Sequence, residues 1–162
     1  MGDSFSDGLI GYKGNDFIYG YGGDDVIWGD VGNDTIYGGA DDDSIDGGEG
    51  KDTLAGGTGY DNFYFGSKLS ASNMDVISDF SIQDDTILLS SSFFPRLAGD
   101  GNLSDNFVIG TKALDSNDYL IFNPVNGVLS YDSDGSGKAK ALAFVTLTGV
   151  QNLDAYRDIG VF

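Results

Sequence analysis

Gly29-Asp30-Val31-Gly32-Asn33-Asp34-Thr35-Ile36-Tyr37 is one nine-residue unit of a stretch that repeats seven times within residues 1–64. Gly opens every unit, at Gly2, Gly11, Gly20, Gly29, Gly38, Gly47 and Gly56. Asp holds position six throughout, as Asp7, Asp16, Asp25, Asp34, Asp43, Asp52 and Asp61. Two residues after each Asp stands an apolar side chain: Leu9, Ile18, Ile27, Ile36, Ile45, Leu54 and Phe63. Gly also fills position four as Gly14, Gly23, Gly32, Gly50 and Gly59, with Phe5 and Asp41 standing in elsewhere. The loop half of each unit can turn sharply because Gly accepts positive φ. The strand half alternates sides with period two, so positions six and eight share one face while seven and nine share the other.

Turning position eight inward gives a two-sided parallel coil with two nonapeptides per turn and a thin aliphatic core. Loop n then stacks on loop n+2, which pairs Asp7 with Asp25, Asp16 with Asp34, Asp25 with Asp43, Asp34 with Asp52 and Asp43 with Asp61. Bare carboxylates one strand spacing apart, roughly 5 Å, repel by about 3 kcal/mol at an effective dielectric near 20. Such contacts, summed along the coil, outweigh the ordinary stability of a domain, about 5–15 kcal/mol. A hard cation bound by carboxylates and inward carbonyls removes the conflict, and Ca²⁺ suits a flexible, carbonyl-rich cage better than Mg²⁺. About five ions are expected, and without them a Gly-rich, mutually repelling tract is expected to be disordered.

The repeat matches the G-G-x-G-x-D-x-U-x pattern and resembles the RTX family, the repeats-in-toxin or haemolysin-type calcium-binding proteins. The resemblance implies an all-β fold, a parallel β-roll over 1–64 continued by a β-sandwich-like cap over 65–162. It implies that the seven Asp and the position-one and position-four Gly named above, Gly2 apart, form the calcium sites. The first loop, Gly2 to Asp7, is the poorest match. The resemblance further implies export from a Gram-negative bacterium through a type I secretion apparatus, using an uncleaved C-terminal signal, and hence an extracellular location.

The formal charge is −18, from 26 acidic and 8 basic residues, and residues 1–64 hold 14 acids against two lysines. That acidity reads as ligand supply and argues against a nucleic-acid partner. Neither Cys nor His occurs, so the common zinc sites and imidazole- or thiol-based catalysis are excluded and no enzyme is expected. No signal peptide is visible at Met1-Gly2-Asp3-Ser4, and no apolar run approaches a membrane span. The chain starts in register with the repeat, which reads as a piece or the tail of a longer protein.

After Tyr64 the Gly frame ends. Asp75-Val76-Ile77-Ser78-Asp79-Phe80 and Asp84-Asp85-Thr86-Ile87-Leu88-Leu89-Ser90 resemble the segments that close RTX rolls in secreted proteases, lipases and alginate-epimerase R-modules. In those relatives an Asp here completes the last ion's shell, and Asp79 is the candidate. Asp132-Ser133-Asp134-Gly135-Ser136-Gly137 looks like half of an EF-hand loop, so Asp132 and Asp134 are candidate ligands; position twelve is Ala143, not Glu, and a hairpin turn accounts for the residues equally well. Asp158-Ile159-Gly160-Val161-Phe162 resembles the terminus of type I-secreted proteins and also reads as a closing strand. Two functions fit: a module that folds on calcium after export and caps its upstream partner, or a calcium-dependent polysaccharide or cell-surface binder. The second would use Tyr19 and Tyr37 on one outer face, or Trp28 and Tyr64 on the other.

Overall fold

Each nonapeptide contributes one strand to a two-sided roll. The strands are β1 (Gly8–Ile10), β2 (Phe17–Gly22), β3 (Val26–Trp28), β4 (Thr35–Ala40), β5 (Ser44–Asp46), β6 (Thr53–Thr58) and β7 (Asn62–Phe65). The computed structural model describes residues 1–97 and 103–162, and no α-helix occurs among the described residues. Odd strands form one sheet and even strands the other, all parallel. Register advances by one full turn of two units, aligning Leu9, Ile27, Ile45 and Phe63 in one sheet and Ile18, Ile36 and Leu54 in the other. These position-eight side chains meet between the sheets, and Ile27, Ile36, Ile45 and Phe63 are completely buried. The period-two alternation thus puts one apolar residue per unit inside, with Asp two residues before it at the sheet margin.

Both sheets run past residue 64 without a break. β8 (Asp75–Ile77) adds to β6 and β9 (Thr86–Leu89) adds to β7, again parallel. Next to them lie β13 (Leu142–Leu147) on β8 and β14 (Ile159–Val161) on β9. The even sheet then continues through β12 (Val128–Tyr131), β11 (Leu120–Asn123) and β10 (Phe107–Ile109), giving eight strands against six. β12 is antiparallel to both β11 and β13, with a bulge between Leu129 and Ser130, while β10 with β11 and β13 with β8 are parallel.

The core widens towards this end, where aromatic rings replace the aliphatic residues of the narrow roll. Phe94 packs edge-on to Phe144 at 5.1 Å and to Tyr131 at 5.2 Å, and Phe65 meets Phe144 at 5.4 Å. Edge-to-face pairs of this kind add about 0.5–1.5 kcal/mol each beyond the area they bury. The Tyr131 hydroxyl leaves the core to accept the Arg96 N–H at 3.1 Å.

Candidate metal centre

A one-directional ladder of carboxylates runs along each margin of the roll. The Asp7 N–H donates to Asp25 Oδ1 at 2.7 Å, and Asp25 and Asp43 repeat the bond to Asp43 and Asp61 at 2.9 Å each. On the other margin, Asp16 donates to Asp34 and Asp34 to Asp52, both at 2.8 Å. Each accepting carboxylate therefore has one oxygen satisfied by the backbone of the turn before it. The second oxygen is different: Oδ2 of Asp16, Asp25, Asp34, Asp43, Asp52 and Asp61 is buried and has no hydrogen-bond partner.

Six buried, unpartnered carboxylate oxygens in one short segment are costly, and buried polar atoms in folded proteins are normally satisfied. Their carboxyls respond accordingly. Burial pushes Asp43 up to about 7 and Asp52 and Asp61 to about 6, against a partial opposing effect of the backbone N–H each accepts. Neighbouring carboxylates add to the rise. Asp25 and Asp34 are raised for the same reasons.

The two glycine columns serve different purposes. At position one, a Cβ on Gly11, Gly20, Gly29, Gly38, Gly47 or Gly56 would crowd or collide with the Oδ2 of that unit's own Asp. On Gly11, Gly20, Gly29 and Gly38 it would also strike the carbonyl of the position-one Gly in the next turn. These glycines keep an oxygen-lined space open. At position four the demand is conformational: Gly32 and Gly50 have φ of 148° and 147°, a region closed to residues with a Cβ. Gly14, Gly23 and Gly59 share positive φ. Asp41 replaces Gly at φ 78° and turns its carboxylate to accept the Gly23 N–H at 3.1 Å.

Past the repeats, both ladders continue onto residues that the Gly frame does not mark. The Asp52 N–H donates to Asp75 Oδ1 at 3.0 Å, and the Asp61 N–H donates to Asp85 Oδ1 at 3.2 Å. Burial, then the charges of Asp52 and Asp46, hold the Asp75 carboxyl up at about 8 despite the bond from Asp52. Asp79 lies beside the Asp85 end, its two oxygens accepting the Gly56 and Gly57 N–H groups at 3.1 Å each. Asn73 closes the other column, accepting the Gly50 N–H. The signal for Asp75 and Asp85 was present in the sequence: Asp75-Val76-Ile77 and Asp85-Thr86-Ile87 keep the Asp-x-apolar spacing of the repeat.

Asp132 and Asp134 lie away from both ladders, in the turn between β12 and β13. Asp134 Oδ2 accepts the Lys138 and Ala139 N–H groups at 2.9 and 3.0 Å, and Asp132 Oδ1 accepts the Asp134 N–H at 3.2 Å. Those bonds build the turn itself.

Among the described residues, no three His, Cys, Asp or Glu side chains converge into a metal-binding group. An ion at the margin would draw on carboxylates of two stacked loops and fill its shell with position-one carbonyls. That all-oxygen mixture, with orphaned carboxylate oxygens in place and the space held open by Gly, fits Ca²⁺. It gives a softer metal such as Zn²⁺ no nitrogen or sulfur.

Residues 1–36 and 28–63 match the profile of the RTX calcium-binding nonapeptide repeat (four copies). No curated protein matches the chain significantly. Among solved structures, the AlgE6R2 subunit of the Azotobacter vinelandii mannuronan C5-epimerase is similar at 25% identity and a TM-score of 0.52, over 97% of this chain and 91% of that one. The AlgE6R3 subunit of the same enzyme aligns at 26% identity over 98% of this chain and 80% of its own, with a TM-score of 0.33. No helix among the described residues is long and apolar enough to cross a membrane.

Proposed function

We propose, starting from a roll whose residues 1–63 are RTX calcium-binding nonapeptide repeats, that this chain is a calcium-triggered folding module of an exported protein. The observation that carries the reading is the row of six buried Oδ2 atoms with no partner. At neutral pH a chain without calcium must bury charge it cannot satisfy, so it stays unfolded and fit to thread a type I channel. In external calcium the same oxygens become ligands, the roll forms, and the folded module stabilises whatever lies upstream. Ions would lie in the gaps between stacked aspartates. Extending the ladders to Asp75 and Asp85 gives seven gaps, so calcium sites would number up to seven and not about five. Asp79 would support the last gap of its column, and the first gap, beside Asp7, would be weakest. Far-UV dichroism in chelator, millimolar Ca²⁺ and millimolar Mg²⁺ tests this: calcium alone should produce β structure. A fully folded spectrum in chelator at neutral pH would end the proposal.

A second reading is supported by the outer face of the even sheet. Tyr19 and Tyr37 stack there at 4.9 Å with their planes 9° apart, and Tyr37 keeps 41% of its surface exposed. Aromatic faces in a row suit sugar rings, and AlgE6R2 belongs to an enzyme of polysaccharide chemistry. Under this reading the module binds an extracellular polysaccharide. A glycan panel with and without calcium separates the two, because the folding reading requires no glycan.

A further inference from the structure

On the outer face of the odd sheet, position nine of successive turns places Trp28, Asp46 and Tyr64 side by side in register. They border a groove of about 560 Å³ with Ser44 and Val26, which Gly66, Ser90 and Phe162 also line. Phe162 is brought there by β14 and stands edge-on to Tyr64 at 5.5 Å. Trp28 keeps 40% of its surface exposed.

Three features define what this groove would hold. First, Trp28 and Tyr64 are two strands apart, about 9.6 Å by ordinary inter-strand spacing. Position-nine rings in this roll can lie face-on along the stacking direction, as the near-parallel Tyr19 and Tyr37 pair demonstrates on the opposite sheet. A group midway between two such faces sits about 4.8 Å from each, inside the roughly 6 Å range of cation–π attraction. Second, the residue at that midpoint is a carboxylate. Asp46 spends Oδ1 on the Gly48 N–H at 3.0 Å, and among the described residues no Lys or Arg pairs with it. Third, space beside Oδ2 is kept by a glycine: a Cβ on Gly66 would stand 3.7 Å from Asp46 Oδ2 and 4.0 Å from the Phe162 ring.

We infer that the Trp28–Asp46–Tyr64 groove binds an organic cation, a quaternary ammonium group of the choline type. Aromatic walls and one carboxylate offer a hydrated metal ion too few oxygens, whereas a trimethylammonium group prefers aromatic faces and needs no hydrogen bonds. Seven bound Ca²⁺ would bring the net charge from −18 to about −4, so the loaded chain stays acidic, which favours the approach of a cation and opposes anionic sugars. The groove lies on the sheet opposite the Tyr19–Tyr37 face, and Asp46 adds its charge to Asp52 and Asp75 of one calcium ladder, so the calcium midpoint of each variant is measured first.

Trp28 is the only tryptophan in the chain, so its fluorescence reports directly on the groove. The calcium-saturated full chain is titrated with choline chloride against sodium chloride at equal ionic strength. A saturable change in Trp28 emission is expected. Asp46→Asn should weaken binding about tenfold, as expected for loss of the one opposite charge facing the cation across the groove. Gly66→Val should abolish it by filling the groove, and Tyr156→Ala, at an exposed ring outside the groove, should change nothing. Dichroism in calcium establishes that each variant keeps the roll, so a failure of calcium-dependent folding is recognised separately. Vesicles of phosphatidylcholine and of phosphatidylglycerol distinguish the sources of the group: retention on the former alone makes it a lipid headgroup, and binding of free choline without vesicle retention makes it a soluble ligand. Absence of saturation with choline and with both vesicles overturns the inference. So does an Asp46→Asn affinity equal to the parent's, or binding of a neutral oligosaccharide at Trp28 with no response to choline.

Discussion

Replacing Asp43 by Asn should help the roll without calcium and harm it with calcium. Asp43 is wholly buried, its Oδ1 accepts the Asp25 N–H, its own N–H donates to Asp61, and its Oδ2 has no partner. Its carboxyl sits at about 7 in the fold against an ordinary 3.8. The folded state therefore holds a proton that the unfolded state has released, between roughly pH 4 and 7. Stability falls as pH rises through that window, and above it the full penalty applies. About three pKa units at about 1.4 kcal/mol each put the ceiling near 4 kcal/mol, which relaxation of the chain reduces. The amide of the Asp43→Asn variant keeps the oxygen that accepts from Asp25 and carries no charge, so in chelator that penalty disappears. In calcium the same change removes an anionic oxygen from the gaps on both sides of residue 43. The assay is far-UV dichroism on two axes. In chelator, acidification from mildly alkaline to mildly acidic pH should induce β structure in the parent, and Asp43→Asn should shift that transition to higher pH. At neutral pH the same variant should raise the calcium midpoint severalfold. If the substitution made the chelated chain harder to fold at every pH, desolvation of the carboxylate ladder would not be what keeps the free chain open.

Asp34→Asn should raise the calcium midpoint and reduce cooperativity far more than Asp7→Asn, because Asp34 is bonded to turns on both sides and Asp7 begins its column; equal midpoints in a calcium titration would contradict the stack. Asp75→Asn should also raise the calcium midpoint although residue 75 lies outside the Gly frame, but by less than Asp34→Asn, because Asp75 ends its column and serves one gap. Gly50→Ala should destabilise the calcium-loaded roll by at least about 1–3 kcal/mol in thermal melts, since φ is 147° and the added Cβ would strike the Gly32 carbonyl. Deleting Ile159 to Phe162 should stop export through a type I system. It should also cost about 2 kcal/mol for the buried Ile159, while calcium still induces β structure in the repeats.

The roll was readable from the sequence because its period is short and its contacts lie one turn apart. Ile36 can only face Ile18 and Leu54 once position eight points inward. Asp75 and Asp85 were harder to read because insertions lengthen the spacing from 18 residues to 23 and 24. The Asp-x-apolar triplet survives there while the glycines do not. The role of position one was also hidden. Gly at that column looks like turn chemistry, yet it answers to the Oδ2 atoms that share its space, and positive φ falls instead at positions two and four, as at Asp30 and Gly32. Least legible was the pairing of β13 with β8, which joins Val145 to Asp75. Nothing local specifies that register; it is settled by packing Phe144 against Phe65 and Phe94.

The ladder bonds all point the same way: each Asp N–H reaches forward in the chain, to a carboxylate contributed by a later turn. Asp75 and Asp85 stand at the forward ends of the two columns, anchored in strands that the broad aromatic core holds in place. A turn joining from the amino-terminal side thus meets its acceptors already positioned, whereas a turn growing the other way would meet only donors. The roll consequently has a seeded end and a growing end, and assembly should sweep from Leu89 back towards Gly2. A chain leaving a channel carboxyl terminus first would deliver its template before the segments that copy it, and each newly emerged repeat would lock behind the last like a ratchet.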